Sequence, residues 1–215
     1  DPQLSNSLYE FPHKVVASIS YNKKYGHFGT NVMLLYNGYS GEHYSLTYAK
    51  GKVDVNGDSY RGNSLIYIPT EAEMSTMLWA DDTSAAAFND YIVSDKYLQS
   101  NRGKFAERNS HTLPFAHRLD LHIAQSFYFK KSTSTSNRDQ RIELSLDVIN
   151  LANLISRSWG LSYRVSNWAL TPVTVTELRE VEGGYRPVYK FNGANYTIND
   201  LGSRWHMQLG LKVVF

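Results

Sequence analysis

One short segment carries oxygen ligands at the spacing of a calcium-binding loop. Asp54, Asn56 and Asp58 occupy alternate positions, and the carbonyl of Tyr60 and the side chain of Asn63 follow. Ca²⁺ prefers hard oxygen ligands at positions one, three, five and seven of such a loop. Ca²⁺ in this loop is therefore the one cofactor that the residue types suggest.

The same segment departs from the calcium motif at two positions. Ser59 stands where a glycine is expected, and Leu65 stands where a bidentate acid is expected. A turn rich in Asp, Asn and Gly that caps its own backbone would have the same composition. We favour the turn over the ion site. An ion bound here would hold the loop together and take no part in a reaction.

The histidines and nucleophiles do not form a catalytic pattern. His117 and His122 are separated by an odd number of positions, so on a strand they point to opposite faces and cannot bind one ion together. Neither a Gly-x-Ser-x-Gly nor a His-Glu-x-x-His motif is present, and neither is a glycine-rich phosphate loop. The sequence therefore predicts no catalytic residue and no enzyme.

Composition excludes several classes of protein. The 215 residues include 22 Lys and Arg against 20 Asp and Glu, which is no basic excess for binding nucleic-acid phosphates. No window approaches the ~20 apolar residues of a membrane-spanning helix. Cysteine is absent, so disulfides and thiolate metal sites are excluded. A transmembrane β-barrel stays open, because its strands are apolar on one face only.

Alternation of apolar and polar residues is the dominant pattern, and it predicts an all-β fold of about seven antiparallel strands. The clearest strand is the last, where residues of one parity are all apolar. Two upstream strands repeat the pattern at 118–129 and 141–148, with Gln125 as the one polar residue on the apolar side. The other predicted strands cover residues 14–22, 28–36, 159–166 and 171–178.

The predicted connections differ strongly in length. Those at 23–27 and 167–170 read as tight turns, and residues 130–140, rich in Ser, Thr and Asn, read as a flexible turn. Residues 49–115 are predicted to form a long loop, in which a short helix near 84–99 is the only regular element that we predict. Short turns on one side and long loops on the other are typical of outer-membrane barrels, so we expect 49–115 to be extracellular.

Aromatic residues favour a membrane wall over a soluble sandwich, which alternates in the same way. Trp205 and Phe215 lie on one face of the last strand, roughly 25 Å apart along a bilayer normal, which matches the band between two aromatic girdles. Trp159 and Tyr36 would suit equivalent positions. We therefore interpret the apolar residues of the clearest strands as lipid-facing: Trp205, Met207, Leu209, Leu211, Leu119, Leu121, Ile123, Ile142, Leu144 and Leu146.

The charged residues of the opposite faces are expected to line a wet lumen. Solvated lining is the favoured interpretation, and a contact surface for a plug or substrate is the alternative. They are Arg118, Asp120, Arg141, Glu143, Asp147, Arg164 and Arg204. In the long loop, Arg102, Glu107 and Arg108 are candidate ligand contacts.

The last strand ends in a pattern of polar, glycine, apolar and aromatic residues at Gln208, Gly210, Val213 and Phe215. This pattern resembles the signal that the barrel-assembly machinery reads. Together with residues 54–58, 61–69, 102–109, 119–121, 147–154 and 159–160, it resembles TonB-dependent outer-membrane receptors, in particular the Oar-like branch common in Bacteroidetes.

The resemblance implies that residues 1–215 are the C-terminal segment of a receptor barrel of about twenty-two strands. Residues 49–115 would be its long extracellular loop, and 203–215 its terminal β-signal strand. The implied location is the outer membrane of a Gram-negative cell, and the implied function is transport of a substrate. Outer-membrane lipid, the barrel-assembly machinery, the rest of the barrel and its plug, and through that plug the TonB complex, would be the partners.

Two other classes of protein remain open. An odd number of strands does not close a bacterial barrel, so one misassigned strand would make a small standalone barrel with a structural or adhesive role. A larger barrel fits better, because open sheet edges do not persist in lipid. A secreted carbohydrate-binding sandwich held together by Ca²⁺ at 54–58 is the soluble alternative.

Overall fold

A computed structural model describes residues 4–129 and 140–215. Over these residues the protein is mostly β, with 48% in strands and 17% in helices, and none of the sheets that they form closes on itself. In chain order the strands are β1 Lys14–Tyr25, β2 Phe28–Tyr39, β3 His43–Tyr48, β4 Tyr67–Ile68, β5 Leu78–Trp79, β6 Lys104–Phe105, β7 His111–Thr112, β8 Ala116–Phe129, β9 Gln140–Ile149, β10 Tyr163–Arg164, β11 Ala169–Val181, β12 Gly184–Phe191, β13 Thr197–Ile198 and β14 His206–Val214. The α-helices are α1 Glu71–Thr76, α2 Ser84–Ser94, α3 Lys96–Ser100, α4 Leu151–Ile155 and α5 Asp200–Ser203.

The chain divides into two compact units. The first, here the mixed unit, contains residues 4–10, Glu42–Leu113 and Arg164–Thr197. The second, here the sheet unit, contains Phe11–Gly41, Pro114–Tyr163 and Ile198–Phe215. Among the described residues, no helix has the length and apolar content needed to cross a lipid bilayer.

The sheet unit is built on one five-stranded antiparallel sheet in the order β1-β2-β8-β9-β14. Tyr25 pairs with Phe28 at the end of the first hairpin, so Gly26 and His27 form a two-residue turn. Gly26 has φ +58°, which suits the turn types that match the twist of paired strands. The sheet follows the chain order of its strands and places neighbours in sequence side by side.

The mixed unit has a second five-stranded sheet in the order β5-β12-β11-β3-β7, with parallel pairing of β3 to β11 and of β5 to β12. Helix α2 covers part of it: Phe88 and Ile92, four positions apart on one helix face, are buried. The ring centroids of Phe88 and Phe191 are 5.7 Å apart. The other large buried side chains of this core include Leu46, Ile66, Ile68, Leu98, Val173 and Val188.

Most of the predicted strands are present. The predictions over 14–22, 28–36, 118–129 and 141–148 are confirmed as β1, β2, β8 and β9, and β11 contains the predicted strand 171–178. The last strand, predicted over 203–215, is present as β14 but begins only at His206, because Ser203 ends α5. The predicted helix near 84–99 is confirmed as α2 and α3. The predicted turn at 130–140 lies outside the described residues except for Gln140.

The predicted strand over 159–166 is wrong. Only Tyr163–Arg164 is extended, and Gly160 has φ +62°. The carbonyl of Trp159 accepts a hydrogen bond from Asn153 Nδ2 (3.0 Å), and that of Gly160 accepts one from Asn150 Nδ2 (2.9 Å). Side-chain amides therefore take the place of a strand partner, and the alternation of apolar residues here has another cause.

The long connection is more regular than predicted. Residues 49–115 contain β4 to β7 and α1 to α3, and several of their side chains belong to the core of the mixed unit. Strand β3, just before this segment, was not predicted, although its polar and apolar residues alternate; it is only six residues long, and all six are buried. The expectation of a mostly irregular loop is therefore wrong.

Truncation of Phe88 tests this core. Its side chain is 1% exposed, so Phe88→Ala is expected to lower the free energy of unfolding by about 3–5 kcal/mol through lost burial and a residual cavity. Val93 lies on the same helix but is 51% exposed, and Val93→Ala is expected to cost about 0.5 kcal/mol or less. Urea unfolding measures both. Equal effects would contradict the described core.

A buried histidine makes the mixed unit sensitive to acid. His111 Nε2 lies 3.2 Å from Asp95 Oδ2, and the rings of Tyr44 and Tyr97 pack against the imidazole. Burial lowers the pKa of His111 below 6.5, and the neighbouring Asp95 carboxylate opposes this only in part. The folded state therefore binds its proton less readily than the unfolded chain does.

This histidine predicts the direction of a pH effect. Because its folded pKa is depressed, the stabilisation is complete above the unfolded pKa of 6.5 and is lost as pH falls through the folded pKa. The loss in thermal midpoint between pH 7.5 and 5 should be smaller in His111→Gln than in the unsubstituted protein. An equal loss in both would show that His111 does not contribute.

Candidate functional site

The five-stranded sheet has one continuous apolar face. The pairing register aligns residues of the same character on neighbouring strands: Leu209 lies opposite Leu146, and Leu146 lies opposite Ile123. We call this surface the apolar face. It consists of Ala17, Ile19, Tyr21, Val32, Leu34, Tyr36, Leu119, Leu121, Ile123, Phe127, Ile142, Leu144, Leu146, Val148, Met207, Leu209, Leu211 and Val213.

In the described residues, no second layer covers the apolar face along β14. Leu209 is 75% exposed and Leu211 is 71% exposed. The ten residues interpreted as lipid-facing lie on this face or, for Trp205, directly before β14, and none is buried. Soluble monomers rarely expose contiguous apolar patches larger than a few hundred Å², so a surface spanning five strands needs another apolar medium or partner.

The polar residues on the apolar face are paired with one another. Gln125 Oε1 accepts a hydrogen bond from Thr30 Oγ1 (2.8 Å), and Thr30 Oγ1 lies 2.9 Å from the hydroxyl of Tyr25. Lys23 lies opposite Thr30, close to the hairpin turn, where a long side chain can extend past the strand ends. The interruption at Gln125 is therefore a satisfied hydrogen-bond chain at one edge of the face.

Aromatic side chains stand at both ends of the apolar face. At the hairpin end, Phe28 stacks with Tyr25 and meets Phe127 edge to face, with ring centroids 6.1 and 5.6 Å apart. At the other end lie Tyr36 and Trp205. Phe28 and Tyr36 are separated on β2 by roughly 20 Å along a bilayer normal, taking ~3.4 Å per residue and a tilt near 40°. This approaches the height of a lipid-facing band.

Trp159 lies beside the same pocket as Tyr36, although it does not belong to a strand. It lines a pocket of about 470 Å³ that Tyr36 and Phe115 also line. The hydroxyl of Tyr36 lies 2.7 Å from His117 Nδ1. The structure thus brings the two proposed belt residues, Trp159 and Tyr36, to one place, although Trp159 belongs to an irregular segment.

The opposite face of the sheet carries paired charges. His122 Nδ1 lies 2.6 Å from Asp147 Oδ1, and Ser126 Oγ donates to Glu143 Oε2 (2.9 Å) across the same strand pair. Arg118 Nε donates to Asp120 Oδ1 (3.0 Å). Arg141, Glu143 and Asp147 also lie on this face, as expected from the sequence.

Two of the predicted lumen residues lie elsewhere. Arg204 precedes β14 and forms an ion pair with Asp200, one helical turn away, at 2.5 Å. Arg164 belongs to the short strand β10 rather than to the five-stranded sheet. The prediction that they belong to the charged face of the sheet was wrong. For Arg164 it relied on the strand predicted over 159–166, and for Arg204 it relied on a last strand that begins before His206.

Gly210 has a local reason to be glycine. A Cβ atom there would come within 2.5 Å of Ser145 Oγ on the neighbouring strand. In the register of the sheet Gly210 lies opposite Ser145, in a row of small and polar residues that includes Ala124 and Asn31. The other residues of the predicted assembly signal are Gln208 on the polar face, and Val213 and Phe215 on the apolar side.

Asn150 is an important residue that the sequence did not reveal. It has φ +57°, and its backbone N–H donates to Asp120 Oδ1 (2.8 Å). Its side-chain Nδ2 donates to the carbonyls of Gly160 (2.9 Å) and Ser203 (2.8 Å). A Cβ at Gly160 would collide with Asn150 Oδ1. One amide thus fixes the segment that follows α4 and the last residue of α5 against the end of β9.

Two substitutions separate the roles of Asn150. Asn150→Gly keeps the left-handed backbone but removes two side-chain hydrogen bonds, each worth about 1 kcal/mol. Asn150→Ala adds a left-handed penalty of about 1–2 kcal/mol, so it should lower the urea-unfolding free energy further than Asn150→Gly. Equal stability of Asn150→Gly and the unsubstituted protein would show that the side-chain amide is dispensable.

The candidate calcium loop is a hydrogen-bonded turn. Asp54 accepts from the backbone N–H groups of Gly57 (3.0 Å) and Ser59 (2.7 Å). Asp58 accepts from the backbone of Tyr60 (2.7 Å) and from the side chain of Asn63 (2.8 Å). These bonds, the one from Asn63 first, hold the pKa of Asp58 below its usual range.

The five proposed ligands are therefore close together, with N–H donors on both carboxylates. Within residues 4–129 and 140–215, no three His, Asp or Glu side chains are arranged to hold a metal ion. The geometry is that of a turn that caps its own backbone. Ca²⁺ binding here stays a prediction of the sequence pattern.

The basic residues of the long connection have different surroundings. Arg102 donates to the carbonyl of Pro69 (3.0 Å) and to Asn89 Oδ1 (2.6 Å), so it links two segments of the mixed unit. Arg108 lines a wide cleft instead. Of the predicted ligand contacts, Arg108 is the one that a ligand could reach there.

No protein-family model, curated protein or solved structure matches this chain. The likeness to TonB-dependent receptors therefore rests on the sequence segments quoted above. The functional argument rests on the geometry of the two faces of the sheet.

Proposed function

We propose that this chain forms part of the wall of a TonB-dependent outer-membrane receptor, which moves a substrate across the outer membrane. The observation that carries the proposal is the five-stranded sheet with one apolar face, exposed along β14 and bordered by aromatic rings, and one polar face with Arg–carboxylate ion pairs. Lipid would contact the first face and a wet lumen the second.

The free edges of the sheet support a larger barrel. Strands β1 and β14 each pair with one neighbour in the sheet. In hydrocarbon each unsatisfied backbone polar group costs several kcal/mol, so further strands must pair with both edges. These strands and a plug, on the same chain or another, are the expected partners, together with the barrel-assembly machinery at β14 and the TonB complex at the plug.

The other functions suggested by the sequence fit this geometry less well. A soluble carbohydrate-binding sandwich requires a second sheet packed on the apolar side chains of the first. Leu209 and Leu211 have no such cover in the described part of the chain. A small standalone barrel would need the edges of β1 and β14 to be joined within few strands. We assign no catalytic step to this chain.

Two substitutions, one on each face of the sheet, test the proposal. Leu209→Arg puts a charge on the apolar face, where it would cost about 2–4 kcal/mol at the bilayer midplane and should abolish recovery in the outer-membrane fraction. Ser20→Arg puts the same charge on the polar face of β1, outside the predicted assembly signal, and should leave recovery unchanged. Fractionation and immunoblotting of the protein that carries these residues provide the measurement.

The same experiment can contradict the membrane proposal. On a water-exposed surface Leu209→Arg would be harmless, because that side chain is already exposed. Normal recovery of Leu209→Arg, or recovery of the unsubstituted protein from a buffer extract without detergent, would contradict the membrane proposal.

A further inference from the structure

The mixed unit contains a wide polar cleft that the proposed membrane role does not use. Its volume is about 1070 Å³, at the upper end for small-molecule sites. Lys50, Arg61 and Arg108 line it, and the described residues of its lining include neither Asp nor Glu. The rings of Tyr60 and Trp168 also line it and are exposed. The remainder of the lining consists mainly of hydroxyl and amide side chains.

A buried hydroxyl on the cleft wall has no partner. Thr47 is 5% exposed and lines the cleft, and its Oγ1 makes no hydrogen bond to any described residue. Leaving such a group unpaired costs about 1–3 kcal/mol, so unpaired buried hydroxyls call for an explanation. A ligand that contributes a hydrogen-bonding oxygen in the cleft would supply the missing partner.

The cations of the cleft are available to a ligand. Arg61 makes one long hydrogen bond, from Nη1 to the carbonyl of Gly51 (3.4 Å). Lys50 and Arg108 form no ion pair or side-chain hydrogen bond with the described residues. Arginine matches planar carboxylates and phosphates with two parallel N–H donors. Three cations without a lining acid therefore select for negative charge.

The backbone around the cleft is held in unusual conformations. Ser59, Asn109, Asn167 and Trp168 all have positive φ, and all four line the cleft. Asn150 is the other described non-glycine residue with positive φ. Such conformations cost free energy and concentrate at ligand sites. A tryptophan at φ +53° is especially unfavourable, and here it places the ring of Trp168 at the cleft.

We propose that this cleft binds an anionic saccharide. Arg108 and Lys50 would bind its carboxylate or phosphate, Thr47 would bind a sugar hydroxyl, and Trp168 would pack against an apolar ring face. The many neutral polar side chains favour a ligand rich in hydroxyl groups over an anion alone. The inference concerns the mixed unit only and does not depend on a membrane around the sheet.

Calorimetric titration of the full chain in detergent tests the ligand class. The probes are trigalacturonate, its neutral counterpart trigalactose, and glucose 6-phosphate. Trigalacturonate or glucose 6-phosphate should bind at least tenfold more tightly than trigalactose, and the difference should shrink in high salt. Comparison of the two anions identifies the acid group. Equal binding of all three probes, or binding of none, overturns the proposal.

Substitutions test the residues. Arg108→Gln should weaken binding of the preferred anion about tenfold, and Lys96→Gln, an exposed cation of the same unit outside the cleft, should leave it unchanged. Trp168→Gly removes the ring and tolerates positive φ, so it should weaken binding without unfolding the protein. Unchanged affinity in Arg108→Gln and Trp168→Gly would overturn the assignment.

Thr47→Val distinguishes a role of the hydroxyl in ligand binding from a role in stabilising the fold. Valine has nearly the same shape but no hydroxyl, so the thermal midpoint should stay the same or rise while the affinity for the anion falls several-fold. A lower midpoint with unchanged affinity would mean that the hydroxyl serves the fold. A protein that is soluble without detergent yet binds the anion would refute the membrane role and leave this inference standing.

Discussion

The register of the five-stranded sheet is the constraint on which the sheet unit depends. Side chains alternate along a strand, so a slip of one residue in any pair would move apolar side chains to the polar side. The observed register instead keeps Leu146 between Ile123 and Leu209. The same register sets Asp147 beside His122 and Glu143 beside Ser126, which satisfies the polar side. The strand register therefore determines both the apolar face and the polar face of the sheet.

The mixed unit follows a different principle, with an interior of its own. Phe88 and Ile92 of α2 lie over a sheet whose strand β3 is buried throughout. This core is packed from several segments that are distant in sequence. The cleft lined by Thr47 and Arg108 is the exception, where the Thr47 hydroxyl lacks a partner and several residues have positive φ. The two units therefore differ: one buries large apolar side chains within itself, and the other leaves Leu209 and Leu211 exposed.

The sequence predicted the sheet unit well and the mixed unit poorly, for physical reasons. Strands with one wet and one apolar face leave a period of two, which revealed β8, β9 and β14. Strand β3 also alternates, but only over six residues, all of them buried, and it was missed. The prediction over 159–166 failed because the side-chain amides of Asn150 and Asn153, a few positions earlier in the chain, bind the carbonyls of that segment, and alternation does not reveal such contacts. The cleft was invisible because Thr47, Arg108 and Trp168 meet only after folding, although Arg108 had been singled out by type.

The chain enters the mixed unit three times, at residues 4–10, Glu42–Leu113 and Arg164–Thr197, with segments of the sheet unit between. Neither unit is encoded by a continuous stretch of gene. A recombination event cannot transfer the whole cleft as one continuous segment without also transferring parts of the sheet unit. Strand β11 must arrive with β3 for the parallel pair to form. The interleaving therefore ties the inheritance of the cleft to that of the sheet, and the two surfaces can change partners only together.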